Sequence, residues 1–169
     1  MNIQSAIISF QSNIHVFQNL TSAYPEDFIK WKPSPDKWCL LEVINHLYDE
    51  ERDDFRDRLK HILEGNTEWA PIHPSAWVIE RKYIEKDFQE SLNNFIYERK
   101  QSIDWLNTID DSDLDKTVSH PKFGDFNARQ MLVSWLAHDI LHIRQILRLQ
   151  YLYLESTIKP LTIDYAGGW

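Results

Sequence analysis

The stretch Ala137-His138-Asp139-Ile140-Leu141-His142-Ile143-Arg144-Gln145 carries two imidazoles four residues apart. In an α-helix, residues i and i+4 lie on one face, one above the other. Two imidazoles so placed can reach one metal ion, each through a nitrogen about 2.1 Å from it. On a helical wheel His138 and His142 share a side with Met131, Trp135, Gln145, Ile146, Leu149 and Tyr153, which is the core side. Polar rings inside a helical protein need partners, because an unpaired buried polar group costs a few kcal/mol. A metal ion and a hydrogen-bond network both meet that need. In a chain with seven histidines the spacing arises by chance roughly one time in four. A metal reading therefore requires a third ligand from another element.

Composition bounds what that element belongs to. A chain of 169 residues fits one domain that buries roughly 70% of its unfolded surface. With 43% hydrophobic and 13% aromatic residues it can build a core without covalent staples, and four glycines and short β-branched runs favour helices. The formal net charge of −8 argues against a nucleic-acid surface, which needs clustered Lys and Arg. The single cysteine, Cys39, excludes an intramolecular disulfide. Met1-Asn2-Ile3-Gln4 opens no basic, apolar signal segment, and no stretch reaches the roughly 18 apolar residues of a membrane span. These features suggest a soluble cytoplasmic protein without membrane attachment.

Periodicity predicts four long helices. The first, Ile3 to Ala23, carries Ile3, Ile7, Phe10, Ile14, Phe17 and Leu20 or Thr21 at three- and four-residue steps, and Tyr24-Pro25 ends it. The prolines of Trp31-Lys32-Pro33-Ser34-Pro35 then forbid a regular helix. The second helix, Leu40 to Glu64, begins with Cys39 in the N-cap slot and Glu42 at N3, a capping box with a thiol in place of a hydroxyl. Cys39 is read as a buried small side chain; a thiolate activated at a helix N-terminus is the functional alternative. Leu40, Ile44, Leu47, Phe55, Leu59 and Ile62 form the apolar stripe. His46 falls at or beyond its edge, so periodicity alone makes it a flanking polar residue. Glu50 lies one turn on, with Asp53 and Asp57 further along the same side, as a solvated acidic face would.

Residues 65–75 form a loop longer than antiparallel neighbours need, which allows the third helix to run parallel to the second. His73 in that loop reads as solvent-exposed. The third helix spans Ile84 to Asn107 on a stripe of Phe88, Leu92, Phe95, Ile96, Ile103 and Leu106, with Arg99 and Lys100 assigned to the solvated side. Asp110-Asp111-Ser112-Asp113 lacks the glycine and terminal Glu of a calcium loop. Thr117 to Phe126 reads as a hairpin-like loop. The fourth helix starts at Asn127, boxed by Gln130, and runs to about Glu155. It is apolar on most sides, as the most buried helix would be. Thr157 to Trp169 straps over the bundle.

Two segments in this order resemble the DinB/YfiT-like superfamily of four-helix-bundle metalloproteins. Trp38-Cys39-Leu40-Leu41-Glu42-Val43-Ile44-Asn45-His46-Leu47 is similar to that family's Trp-Ser-x-x-Glu-x-x-x-His-Leu segment, and His138-x-x-x-His142 to its closing helix. Cys39 departs from the usual Ser or Thr. The resemblance covers nearly the whole chain as one domain, 1–169. It implies an all-α four-helix bundle in up-down-down-up order with a long second connection. It also implies a divalent metal (nickel, zinc, iron or manganese) held by His46, His138 and His142, against the wheel reading of His46.

Three imidazoles with an open position make a catalytic type of metal site. Neutral ligands leave the ion its full charge, which favours lowering the pKa of a bound water or thiol. The expected activity on a small-molecule substrate is low-molecular-weight-thiol S-transfer to an electrophile, with bacillithiol or a similar thiol as cosubstrate, or metal-hydroxide hydrolysis. A non-catalytic metal- or ligand-binding stress-associated bundle is the alternative. Glu50 is the candidate general base or partner of His46, and Gln145 the candidate for orienting water or substrate. Asp139 and Arg144 read as surface or ion-pair residues. A bundle of this kind is compatible with a homodimer.

Overall fold

A computed structural model describes residues 1–22 and 24–169; Ala23, the expected end of the first helix, lies outside them. Helix α1 (Ile3–Thr21) is capped by Asn2, whose side chain accepts from the Ser5 N–H at 2.8 Å. A short α2 (Glu26–Lys30) follows in the connection. The second long helix is α3 (Leu40–Glu50), a π-helical turn (Glu51–Phe55) and α4 (Arg56–Glu64) in one continuous run. Its capping box forms: the Glu42 carboxylate accepts from the Cys39 N–H at 2.9 Å. Cys39 is fully buried, and burial pushes its thiol up to about 11, so the inert reading holds. Gly65 ends α4 at φ 75°, a left-handed conformation that glycine adopts without a Cβ clash.

The long connection is less irregular than expected. It holds α5 (Pro74–Glu80), with proline at the first turn where its missing N–H is harmless, and a 3₁₀ turn (Tyr83–Glu85). His73 is exposed, as expected. Helix α6 (Phe88–Leu106) starts after the predicted Ile84 because Asp87 caps it, accepting from the Glu90 N–H at 2.7 Å. A two-stranded hairpin, β1 (Thr117–His120) against β2 (Gly124–Asn127), buries Val118 opposite Phe126. Helix α7 (Ala128–Thr157) begins on the predicted Asn127–Gln130 box.

Side-chain contacts fix the helix directions. Asn45, Glu51 and Arg56 meet Ser91, Arg99 and Ser102, so α3–α4 and α6 run parallel. Asn13 and Leu20 meet Asp139 and Gln150, so α1 and α7 are parallel too. Phe17 packs on Phe95 while Phe10 lies under Arg99, which makes α1 antiparallel to α6. The order is up-down-down-up. No helix among the described residues is long and apolar enough to cross a membrane.

Two expectations fail. Arg99 is 1% exposed, not solvated. It occupies the apolar stripe of α6 between Phe95 and Ile103, and its charge is answered inside. It holds Asp139 with both terminal nitrogens at 2.6 and 2.8 Å and donates through Nε to Glu51 at 2.9 Å. Asn13 also donates to Asp139, at 2.8 Å, and the Trp135 indole to Glu51, at 2.9 Å. One buried network thus ties α1, the π turn, α6 and α7. The second failure is α7, which is not buried all round: Val133, Ile140, Leu141, Leu147 and Leu154 are exposed. The heptad spacing of Val133, Ile140, Leu147 and Leu154 puts those four on one outward face, opposite the histidines.

Replacing Arg99 with Met should remove about 3–5 kcal/mol of stability, because two buried carboxylates lose their counter-charge. Urea unfolding of the two proteins measures it. A change below about 1 kcal/mol would mean that the network contributes little.

Candidate metal centre

His46 comes from α3, and His138 and His142 from successive turns of α7. Their Nε2 atoms face one another: His46 to His138 at 3.2 Å, His46 to His142 at 3.1 Å, and His142 to His138 at 3.0 Å. These three residues form a group that could hold one metal ion. The wheel reading of His46 fails because α3 has no solvated face around it. Glu42, Asn45, His46, Asp49 and Glu50 are all buried along with its apolar residues. The helix is enclosed, so its polar residues mark an inner polar seam.

The rings are walled by aromatics. Trp38 lies 4.9 Å from the His46 ring and Phe55 4.8 Å from the His138 ring, centre to centre. Phe55 also stacks against Trp135 at 5.9 Å. The π turn sits at this place: Glu51 at its start meets the Arg99 network while Phe55 at its end closes over His138. Wide turns of this kind often occur at functional positions.

The three nitrogens cannot satisfy one another. The Gln145 side-chain oxygen lies 2.8 Å from His142 Nδ1, the arrangement in which Nδ1–H donates and Nε2 presents a lone pair to the centre. His46 Nδ1 has no partner among the described residues, so whichever nitrogen of that ring carries the proton, a buried polar atom is left over. Burial lowers the His46 pKa to about 3 and the His138 pKa to about 2, with neighbouring imidazoles adding to the effect. Burial lowers His142 as well. The rings are neutral at pH 7, the form that ligates a metal. A divalent cation fits this donor set: it would satisfy all three lone pairs at once and need no deprotonation.

The sequence model of the DinB superfamily matches residues 9–146. The chain belongs to the DinB superfamily. Among solved structures this DinB-superfamily chain is similar to YfiT from Bacillus subtilis, described as a probable metal-dependent hydrolase with an unusual four-helix bundle topology. The two align with a TM-score of 0.77 and 18% sequence identity over 88% of this chain and 86% of that one. At that identity the likeness establishes the fold. The chain matches none of the curated protein sequences.

Glu50 is buried, not part of a solvated acidic face. Its Oε1 stands 3.9 Å from His46 Nδ1, beyond hydrogen-bonding reach, and neither atom has another partner. Burial first, and then Asp54 beside it, push its pKa up to about 8. Gln145 is committed to His142. Asp139 is the fully buried partner of Arg99, which anchors α7 immediately after His138. The residues that sequence reasoning missed are Arg99 and Glu51, and a signal existed for the first: Arg99 keeps the i+3/i+4 spacing of the α6 stripe.

These shifts give the metal-free protein a distinctive stability profile. Unfolded imidazoles protonate near pH 6.5 but the folded ones resist, so their contribution is complete above about 6.5 and is lost as pH falls. Glu50 acts oppositely: it keeps its proton up to about 8 when folded but loses it near 4.5 when unfolded. Its contribution is therefore lost as pH rises towards 8. Stability should climb to about pH 6.5 and then fall by up to about 1.4 kcal/mol per pH unit until about 8. Urea unfolding across that range should show the decline in the wild type and not in Glu50→Gln. The same decline in both would remove Glu50 as its source.

Proposed function

We propose that this chain is a divalent-metal-dependent enzyme that activates a small nucleophile against an electrophilic small molecule. His46, His138 and His142 serve as the ligands. The observation that carries the reading is the convergence of three neutral Nε2 atoms, from buried His46 and His142 and half-buried His138, with no carboxylate among them. A divalent cation bound there would keep its full charge and act as a Lewis acid, lowering the pKa of a water or a thiol. Nickel, zinc, iron(II) and manganese are each compatible with a set of three neutral imidazoles.

The chain's own residues have separate tasks. Gln145 fixes the tautomer and orientation of His142, a role that ligand-supporting groups commonly have. Glu50 acts through His46: its carboxyl, which burial keeps protonated up to about pH 8, stands beside the ring's Nδ1 while Nε2 faces the centre, so it positions the ligand. Trp38 and Phe55 keep bulk water from the rings. Hydrolysis is the first reading, supported by the description of YfiT. S-transfer from a low-molecular-weight thiol is the second. It is favoured by a cavity of about 560 Å³ at His142, large enough for an organic cosubstrate and not only a water.

The test is to load the protein in turn with nickel, zinc, iron(II) and manganese. Each form is assayed on activated esters without thiol, and on model electrophiles with a small thiol. Turnover with at least one metal is expected. It should fall by about 100-fold or more in His142→Ala and by about 10–100-fold in Glu50→Gln. Thiol-independent turnover assigns hydrolysis and thiol-dependent turnover assigns S-transfer. Stoichiometric metal with neither activity would place the chain among non-catalytic metal-binding bundles.

A further inference from the structure

We propose that the cavity beside His142 recognises an oxyanion, so that the substrate or cosubstrate carries a carboxylate or phosphate group held by Arg144 and Arg148. The cavity of about 560 Å³ is lined by Leu141, His142, Arg144, Gln145, Arg148 and Trp169. This inference rests on the proposed enzyme reading only in giving the bound anion a reacting end at the histidines.

Arg52, Arg56, Arg58, Arg81, Arg99 and Arg129 each pair with a carboxylate. The remaining two arginines of the sequence are Arg144 and Arg148. Among the described residues neither makes an ion pair or a side-chain hydrogen bond, although acidic residues exceed basic ones by 26 to 18. They stand one turn apart on α7, where like charges repel by a few tenths of a kcal/mol, and no acidic residue sits between them or across the cavity to relieve this. Both line the cavity that also exposes a candidate metal ligand. Elsewhere in this acidic chain every guanidinium has been given a partner; at this cavity none has.

The chemistry of the walls says how a ligand would lie. Guanidinium groups bind carboxylate and phosphate through paired N–H donors, a geometry that lysine cannot reproduce. Leu141 and Trp169 offer apolar surface, and the Trp169 ring lies 5.5 Å from that of Tyr151, centre to centre. His142 and Gln145 form the inner side. A molecule with an anionic tail, a short apolar body and a reactive group suits this order of contacts. The anion would sit on the arginines, the body against Leu141 and Trp169, and the reactive group towards His142, the one of the three histidines that lines the cavity.

Nuclear magnetic resonance titration of the full-length protein tests this. The arginine side-chain signals are followed as inorganic phosphate, succinate or uncharged succinamide is added, to metal-free and to metal-loaded protein. Phosphate or succinate should bind in both forms, with succinamide weaker by about tenfold or more. The tighter of the two anions names the group. Binding should weaken by about tenfold or more in Arg144→Gln/Arg148→Gln, weaken less in Arg144→Lys/Arg148→Lys, and decline with added salt. Both arginines are exposed, so these variants keep the fold, which circular dichroism verifies. Equal binding of succinamide, unchanged binding in the glutamine variant, or no binding of either anion would overturn the inference. So would a glutamine variant that loses self-association in sedimentation while still binding the anions. A protein that takes up no metal but still binds anions through the arginines would defeat the enzyme reading alone. Metal uptake without anion binding would defeat this one alone.

Discussion

The fold depends on a single buried positive charge. Arg99 is surrounded by Phe10, Phe95 and Trp135 as well as by two carboxylates, so its guanidinium is both stacked on apolar rings and paired at its edge. Removing such a group from water is unfavourable by several kcal/mol unless its hydrogen bonds are met in good geometry. Here they are met by Glu51 of the π turn and Asp139 of α7, and Asp139 in turn accepts from Asn13 of α1. The network therefore specifies one relative placement of these elements: sliding the π turn, α6 or α7 would leave a charge uncompensated, and sliding α1 would take a hydrogen bond from Asp139. Asp139 follows His138 directly and Glu51 lies five residues after His46. The elements that carry the three imidazoles are thus the ones the network fixes.

That placement creates a polar seam which the rest of the core does not explain. Most of the buried interior is Leu, Ile, Phe and Val, and the seam alone carries neutral imidazoles with a leftover nitrogen and a carboxyl with a leftover oxygen. Native interiors rarely leave buried polar atoms unpaired. Two such atoms at one place, beside three converging lone pairs, are what a site shaped for a cation looks like before the cation is considered. The Arg99 network brings a net negative charge close by, with two carboxylates for one guanidinium, which would favour a cation at the histidines.

Much of the fold was legible because its signals are local. The stripes of Ile7, Phe10, Ile14 and Phe17 and of Leu92, Phe95, Ile96 and Ile103 follow the helical period, and the Asn127–Gln130 box marks a helix start by spacing alone. The parallel pairing of the second and third helices was legible from the length of their connection. What failed was inference from polarity. Arg99, Glu50 and His46 were assigned to solvent or to a stripe's edge because they are polar, yet each is buried by contacts with other helices that no wheel contains. The error on α7 runs the other way: Val133, Ile140 and Leu147 are apolar and exposed. His46 was legible as a ligand only through its resemblance to a family motif. The unpaired state of Arg144 and Arg148 could not be read at all, because it depends on every acidic group they fail to meet.

The most direct measurement is X-ray absorption at the metal edge of protein loaded with one equivalent of nickel or manganese. The account predicts imidazole scattering from three rings with nitrogens at about 2.1 Å and lighter oxygen or nitrogen donors in the remaining positions. Replacing His46 with Ala should remove one ring's contribution. A shell containing sulfur, a single-imidazole signal, or a His46→Ala spectrum identical to the wild type would contradict the three-histidine centre.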